Sequence, residues 1–209
     1  MAIKKKTVII VAVIIAFLGI IGVGSGYTVY LRVMAPNVAV QEDVSLYVKP
    51  TFNLDSILVQ TQKLQLFKNE GSFEWWANRQ NLGNHLTAGR YVITPGMSNR
   101  AIVNLLMSGR QTPVNVTFNN IRTKEDFAGR IGEQLIADSS DFVAYFDSSA
   151  YFSTLGLNKD NFMTIFIPNT YELYWNTDAE GFVKRMAKEH DYFWTQAQRD
   201  KAKKIELSP

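Results

Sequence analysis

Between Lys6 and Arg32 the chain contains no charged residue, and this run constrains the fold more than any other feature. Its sequence is TVIIVAVIIAFLGIIGVGSGYTVYL. A helix rising about 1.5 Å per residue would make the run roughly 35 Å long, enough to cross the about 30 Å of hydrocarbon in a bilayer. Its glycines weaken a helix in water but are tolerated in lipid. The run therefore predicts one transmembrane helix, assigned to residues 7–31.

The flanks of this run predict the orientation of the helix. Lys4, Lys5 and Lys6 precede it, so the positive-inside rule places residues 1–6 in the cytoplasm. A cleaved signal peptide is the alternative, but its apolar core is normally only about 7–15 residues, and no convincing A-x-A site follows. The sequence thus favours an uncleaved, single-pass protein of the plasma (inner) membrane whose C-terminal part lies in the periplasm or outside the cell.

The composition of the remaining chain narrows the class of partner. The net charge of +3 equals the charge of the three lysines before the apolar run, so the rest of the chain is neutral and no nucleic-acid partner is expected. The absence of cysteine excludes disulfides and thiolate metal sites. His85 and His190 lie far apart and give no metal-ligand spacing. These residues therefore predict no metal site.

A strand–turn–helix pattern occurs three times after a polar linker at residues 32–44. Each copy starts with a short β-branched or aromatic run and reaches a helix N-cap, namely Asn53, Ser98 or Thr123. Apolar or small residues four and five positions after each cap form the inward helix face: Ile57, Leu58, Ile102, Val103, Phe127 and Ala128. Gly109 is expected to end the second helix. The pattern predicts a mixed α+β fold rather than a doubly wound sheet, and no nucleotide-binding or hydrolase motif accompanies it.

Two adjacent tryptophans lie between the first and second copies. Ser72 is expected to cap a short helix that carries Trp75 and Trp76. Adjacent residues cannot face the same side of a helix, so at least one ring is expected to be partly exposed. Packing in the core and at its rim is favoured, and stacking of a ring on a glycan is the alternative.

The sequence FIPNTYELYW at residues 166–175 raises the question of a catalytic carboxylate. Pro168 breaks a helix, and the aromatic and β-branched residues favour extended chain. Alternation then places Tyr171, Leu173 and Trp175 on one face of a strand and Glu172 on the other, wetter face. A catalytic acid needs a raised pKa in an apolar pocket, so Glu172 is not expected to be that acid.

Two helices are expected after this stretch. Residues 177–194 predict an amphipathic helix with Phe182, Met186 and Phe193 facing inward, and residues 195–205 predict a second, very polar one. The chain then ends in ELSP, and a Ser–Pro pair is typical of the start of a helix. We therefore expect that the 209 residues stop at the boundary of a structural element.

Residues 88–118, AGRYVITPGMSNRAIVNLLMSGRQTPVNVTF, together with FIPNTYELYWNT at 166–177, resemble a known family. The resemblance is to the membrane-anchored endolytic murein transglycosylases, the MltG or YceG-like family. It implies a membrane helix, a LysM-like α/β subdomain at 45–118 and the start of a mixed α/β catalytic domain at 119–209. The chain departs from the family pattern at Asn169, where Asp is commoner, and at residues 120–122, where many members have a Glu-Gly turn.

The resemblance also implies a reaction and a site. Lytic transglycosylases cut the bond between N-acetylmuramic acid and N-acetylglucosamine without water, through one glutamic acid that serves as acid and then as base, and leave a 1,6-anhydro end. The resemblance thus implies that no cofactor is required. In the family this glutamate lies in a helix downstream of the F-x-P-[DN]-T-Y motif, so it is expected beyond Pro209 and no catalytic residue is expected within the chain. The expected substrate-binding residues are Asn169, Tyr171, Glu172 and Trp175. Glycan strands of peptidoglycan, the membrane and cell-wall synthesis proteins are the expected partners.

A non-enzymatic role is the alternative hypothesis. An anchored module could bind peptidoglycan or a wall-synthesis partner through exposed aromatic rings, for which Trp75, Trp76, Tyr171 and Trp175 are the candidates. An anchored α+β domain with another role remains the third possibility.

Overall fold

The computed structural model describes residues 5–119, 121–148 and 150–206, and the chain divides into two compact units. The first unit is Met1–Arg110 and the second is Gln111–Pro209. The predictions for Lys4, Asn120 and the terminal Ser208-Pro209 pair fall outside the described residues.

The first unit begins with a long apolar helix, α1 (Lys5–Met34). Residues Ala12–Met34 within it are long and apolar enough to cross a membrane, and an 18-residue window of this segment has a mean hydropathy of 2.0 and no residue buried in protein. This confirms the predicted apolar helix, which extends three residues further than residue 31. The helix continues into the first unit without a flexible linker, because residues 36 and 38 already form β-bridges with Ser98 and Phe67.

The rest of the first unit is a two-stranded antiparallel sheet covered by helices. In chain order the elements are β1 (Val44–Val48), α2 (Leu54–Lys63), α3 (Glu70–Arg79), a short 3-10 turn (Leu82–Asn84), β2 (Gly89–Ile93) and α4 (Asn99–Ser108). Strands β1 and β2 pair in the register Val44↔Ile93 to Val48↔Gly89. Fully buried side chains of both strands and all three later helices, including Leu46, Ile57, Phe73, Tyr91 and Ile102, form one core.

A buried polar network ties the end of α1 to this core. Asn99 has no exposed surface, and its Nδ2 donates to the backbone O of Arg32 at 2.7 Å and to Ser72 Oγ at 2.9 Å. Asn37 Nδ2 donates to Asn99 Oδ1 at 2.8 Å. The carbonyl of Arg32 needs this donor because its helical partner would be residue 36, a proline without an N–H. The network therefore fixes the C-terminal end of the apolar helix to the remainder of the first unit.

The second unit contains its own two-stranded antiparallel sheet and a shell of helices. The elements are β3 (Val114–Phe118), α5 (Lys124–Gly132), α6 (Ser139–Ser148), α7 (Tyr151–Thr154), a 3-10 turn (Phe162–Ile165), β4 (Asn169–Leu173), α8 (Ala179–Phe193) and α9 (Gln196–Lys204). Strands β3 and β4 pair in the register Val114↔Leu173 to Phe118↔Asn169. The core is dominated by phenylalanine rings, among them Phe118, Phe127, Phe142 and Phe182.

The predicted boundary at residue 118 is corrected by this pairing. Strand β3 forms its hydrogen bonds with β4 and not with β1 or β2, so residues 111–118 belong to the second unit. The strand–turn–helix copies themselves are confirmed, since α2, α4 and α5 each follow a strand.

Local helix signals were mostly confirmed. The side chains of Asn53, Ser98 and Thr123 each accept a hydrogen bond from the backbone three residues on, and Gly109 ends α4 in the left-handed conformation. The predicted cap Ser72 is wrong: Asn69 caps α3 and accepts from the Ser72 N at 2.8 Å.

Candidate functional site

The 166–175 stretch enters β4 from a 3-10 turn. Phe166 is buried among the rings of the second unit, with its centroid 4.5 Å from that of Phe127. Pro168 follows at the surface, and strand β4 begins at the next residue. The aromatic residues therefore hold the strand against the core, and Pro168 lies in the extended connection between the turn, which ends at Ile165, and the strand.

Alternation along β4 occurs as predicted. Tyr171 and Leu173 are buried, and Glu172 between them is exposed. Tyr171 stacks on Phe118 with centroids 5.5 Å apart, and its hydroxyl donates to the backbone O of Ile167 at 2.6 Å. Burial, with a smaller contribution from the Glu189 carboxylate, raises the pKa of the Tyr171 hydroxyl. The expectation that Tyr171 offers an exposed ring is wrong, because only 6% of the residue is accessible.

The four predicted substrate-binding residues do not converge on one cleft. Asn169 is exposed, and its Oδ1 accepts from the backbone N of Thr170 at 2.8 Å. Trp175 is half-buried, and its carbonyl accepts from the Ile136 N at 2.8 Å. Glu172 lines a cavity of about 480 Å³ between β4 and α8, and the other three residues do not line that cavity. Their contact with a substrate stays a prediction.

A larger groove of about 560 Å³ lies beside the motif. Four segments build it: the end of β3 with described residues that follow it, Phe127 of α5, the residues before β4, and the end of α8 with Trp194. Its walls are mainly aromatic and aliphatic, and they are formed by Phe118, Asn119, Ile121, Arg122, Phe127, Met163, Thr164, Phe166, Ile167, Pro168, Phe193 and Trp194. Among the described residues, Arg122 is the one charged side chain that lines it.

The groove presents two accessible rings at one end. Phe193 is 46% exposed and Trp194 is half-buried, and their rings meet edge to face with centroids 5.5 Å apart. The prediction that Phe193 faces inward is therefore wrong, whereas Phe182 and Met186 are buried as predicted. Sequence reasoning missed Phe193, Trp194 and Arg122 as groove residues. One feature of the sequence could have predicted their exposure: Phe193 and Trp194 lie at the end of the amphipathic helix, where less of the core faces the helix.

Carboxylates within the described part of the chain are all at least partly accessible to water. The buried polar or charged residues there are Asn37, Thr61 and Asn99. Glu189, among the less exposed, forms an ion pair with Arg185 at 2.6 Å. Described residues 5–206, apart from the two gaps, contain no cluster of three or more His, Asp or Glu suited to a metal ion. The groove is thus lined mostly by aromatic and aliphatic residues, but polar atoms form slightly more of its accessible surface than apolar atoms do; its lining contains one guanidinium and no described carboxylate.

The tryptophan pair lies in the first unit and is only partly accessible. Trp75 and Trp76 are both half-buried on α3, with ring centroids 6.2 Å apart. Trp76 packs against the core of that unit. For Trp76 this arrangement agrees with the favoured prediction, which was packing in the core and at its rim.

These features define an α+β protein with one apolar N-terminal helix and a cleft beside an F-x-P-N-T-Y motif. The YceG-like family model matches residues 46–209, so the chain belongs to the YceG-like family. Comparison with curated proteins gives no match. A crystal structure of the YceG-like protein lmo1499 from Listeria monocytogenes is 18% identical, with a TM-score of 0.40 over 80% of this chain. The chain spans 60% of the length of that structure.

Proposed function

We propose that the chain is the anchor-bearing part of an endolytic lytic transglycosylase that cuts nascent peptidoglycan strands and leaves 1,6-anhydro-N-acetylmuramic ends. Family membership supports the assignment, and the groove beside Phe166–Pro168 is the observation that carries it. A cleft of about 560 Å³ that combines accessible aromatic rings with polar surface suits sugars, which have both apolar faces and hydroxyl groups. We propose that the first unit is the LysM-like subdomain of the family.

The catalytic glutamate is proposed to lie outside these 209 residues. A general acid for glycoside cleavage needs a pKa raised by an apolar environment. Every described carboxylate is accessible to water, and none lines the groove. Glu172 lies on the exposed face of β4, where water solvates its charge. The groove residues would then supply one wall of the active site, and a further segment would bring the acid.

The proposed location is the plasma membrane, with α1 as a single anchor and the two units outside the cytoplasm. Support comes from the apolar window at Ala12–Met34 and from the lysines before it. Fusing a reporter that is active only outside the cytoplasm after Arg110 tests the orientation. An inactive reporter there, with an active one at the N-terminus, would reverse the proposed topology.

The proposed chemistry is tested with a protein extended past Pro209. Incubation with purified glycan strands, followed by mass spectrometry, should reveal 1,6-anhydro ends. Glu172→Gln in the extended protein should lower the rate by no more than about tenfold, because loss of a predicted substrate contact costs on the order of 1 kcal/mol and an exposed carboxylate does not supply the acid. A loss of a hundredfold or more in this variant would place the acid on β4 and contradict the proposal, since general acid catalysis is worth about 10²–10⁴-fold.

A binding module without enzymatic activity is the second candidate, and the accessible Phe193–Trp194 ring pair favours it. Trp194→Ala should release the chain from insoluble peptidoglycan in a sedimentation assay, because ring stacking on the sugar is lost. Tyr192→Ala is the matched control: this ring is 78% exposed but does not line the groove. Equal binding of all three proteins would exclude this groove as a glycan surface.

A further inference from the structure

A separate groove lies within the first unit, where the outer end of α1 meets α3 and α4. Its volume is about 480 Å³, within the range of about 300–1,000 Å³ found for small-molecule sites. Helix α1 contributes an apolar wall that includes Gly26, Val29 and Tyr30. The opposite wall includes Trp76 of α3 and Arg100 of α4, together with two amide side chains. The groove therefore has an apolar side and a polar, cationic side.

The length of α1 sets the depth of this groove relative to a bilayer. About 20 helical residues cross the hydrocarbon, so a span that starts directly after Lys6 leaves it near residue 26. The last residues of the apolar Ala12–Met34 segment then lie beyond the hydrocarbon, where α1 contacts α3 and α4. The wall formed by Gly26, Val29 and Tyr30 then runs from the hydrocarbon boundary into the headgroup layer. Tyrosine, tryptophan and arginine are residues that favour this layer. An occupant of the groove would have its apolar part in the bilayer and its polar part beside Arg100.

The polar side of the groove contains a cation, Arg100, that forms no ion pair with any described residue and can therefore pair with an anion. Arg100 is exposed and has a long contact from Nη1 to Met34 Sδ at 3.9 Å. The indole Nε1 of Trp76 has almost no accessible surface, so the guanidinium of Arg100 is the charged donor in the lining of the groove. Phosphate oxygens are strong acceptors for a guanidinium.

The groove is also held in shape before any ligand arrives. Asn99 joins the backbone of Arg32 in α1 to Ser72 in α3, with distances of 2.7 and 2.9 Å. Because Asn99 is the first residue of α4, this single side chain connects all three helices that form the groove. Binding to such a preformed site avoids the entropic cost of assembling it.

We propose that this groove binds one anionic phospholipid of the outer leaflet, with the phosphate at Arg100 and the upper acyl chains along Gly26–Tyr30. The proposal rests on the membrane anchoring under the proposed function, but not on the glycan-cleaving activity. A bound lipid would hold the first unit at a fixed height on the membrane. A neutral lipid lacks the net charge that complements Arg100, so the site should prefer phosphatidylglycerol to phosphatidylcholine.

The test uses the full chain in nanodiscs of equal parts phosphatidylglycerol and phosphatidylcholine with identical acyl chains. After release into a neutral detergent, native mass spectrometry counts the lipids that remain bound. Wild type should retain one phosphatidylglycerol in preference to phosphatidylcholine. Arg100→Gln should retain about fivefold less, the effect of roughly one lost cation near the surface. Arg79→Gln, an equal charge change at an exposed residue outside the groove, should bind as wild type does.

A second pair of variants tests the apolar wall without changing charge. A Cβ added at Gly26 or at Gly19 meets no atom within 4 Å, so the first carbon of a side chain fits at both positions without a clash. Gly26→Phe fills the groove and should abolish lipid retention, whereas Gly19→Phe lies outside the groove and should not.

Three results would overturn the lipid site. One is an equal loss of retained phosphatidylglycerol in Arg79→Gln and Arg100→Gln, which would indicate general electrostatic attraction rather than a site at Arg100. Another is equal retention of both lipids by wild type. The third is that wild type retains a second protein copy or a partner helix instead of lipid, and that Gly26→Phe no longer retains it. Wild-type chain that does not enter nanodiscs would refute the anchor, whereas the anhydro-end assay alone bears on the enzymatic proposal.

Discussion

Removing the Asn99 side chain should destabilise the first unit more than any exposed substitution in it. Asn99→Ala deletes three hydrogen bonds, to the Arg32 carbonyl, to Ser72 and from Asn37. At about 0.5–1.5 kcal/mol for each bond, the loss is about 3 kcal/mol. The largest part of the loss is expected at the Arg32 carbonyl, which is left without a hydrogen-bond donor because Pro36 has no N–H.

This loss is large enough to measure by thermal unfolding in detergent. For a unit of this size, about 3 kcal/mol corresponds to a fall of roughly 12–24 °C in Tm. Hydrogen exchange should also quicken at residues 33–38, because the end of α1 is released from α3 and α4. Asn78→Ala, at an exposed asparagine of α3, is the control and should change stability by less than about 0.5 kcal/mol. A Tm for Asn99→Ala that matches this control would refute the view that the network holds the helix.

Three further predictions concern the second unit. Gly132→Ala should lower its stability by about 1–3 kcal/mol, because an added Cβ would lie 2.6 Å from the backbone N of Ser139. In the same helix, a Cβ added at Gly129 meets no atom within 4 Å, so Gly129→Ala should be neutral or stabilising by up to about 1 kcal/mol. Urea unfolding of the two variants measures the difference. Equal effects on the free energy of unfolding would contradict the close approach of Gly132 to Ser139. Tyr171→Phe should cost about 0.5–1.5 kcal/mol through the lost bond to Ile167, measured the same way, and an unchanged midpoint would show that this bond contributes nothing. Because the pKa of Tyr171 is raised in the folded state, its contribution to the free energy of unfolding is complete below its unfolded pKa of about 10 and is lost as the pH rises through the folded pKa. If Tyr171→Phe lost stability more steeply than wild type at alkaline pH, this sign would be wrong.

Local features of the fold could be predicted from the sequence because their causes are local. The caps at Asn53, Ser98 and Thr123 each bond to the backbone three residues away, and Gly109 adopts a left-handed conformation that needs no distant contact. The exposure of Glu172 between two buried neighbours follows from strand alternation alone.

Features that depend on distant partners could not be predicted. The cap of α3 is Asn69 rather than Ser72, and the backbone N of Asn69 is held by Asn37 Oδ1, 32 positions earlier in the chain. The pairing of β3 with β4 joins segments about 50 residues apart, with four intervening helical segments. No periodicity in either strand indicates that partner.

The candidate site was predicted only in part, for the same reason. The motif at 166–175 located the groove, since Phe166, Ile167 and Pro168 line it. Helical periodicity placed Phe193 on the buried face with Met186, but burial requires a facing surface, and the end of α8 lies beside an open groove. Arg122 lines this groove from a turn whose sequence gave no sign of its position.

The location of the catalytic acid is tested most directly with the 209-residue chain alone. The chain is incubated with purified glycan strands, and 1,6-anhydro ends are counted by mass spectrometry against a heat-inactivated sample. We predict that the count equals this background, whereas the protein extended past Pro209 raises it. Anhydro ends produced by the 209 residues themselves would show that one of their own carboxylates is the acid.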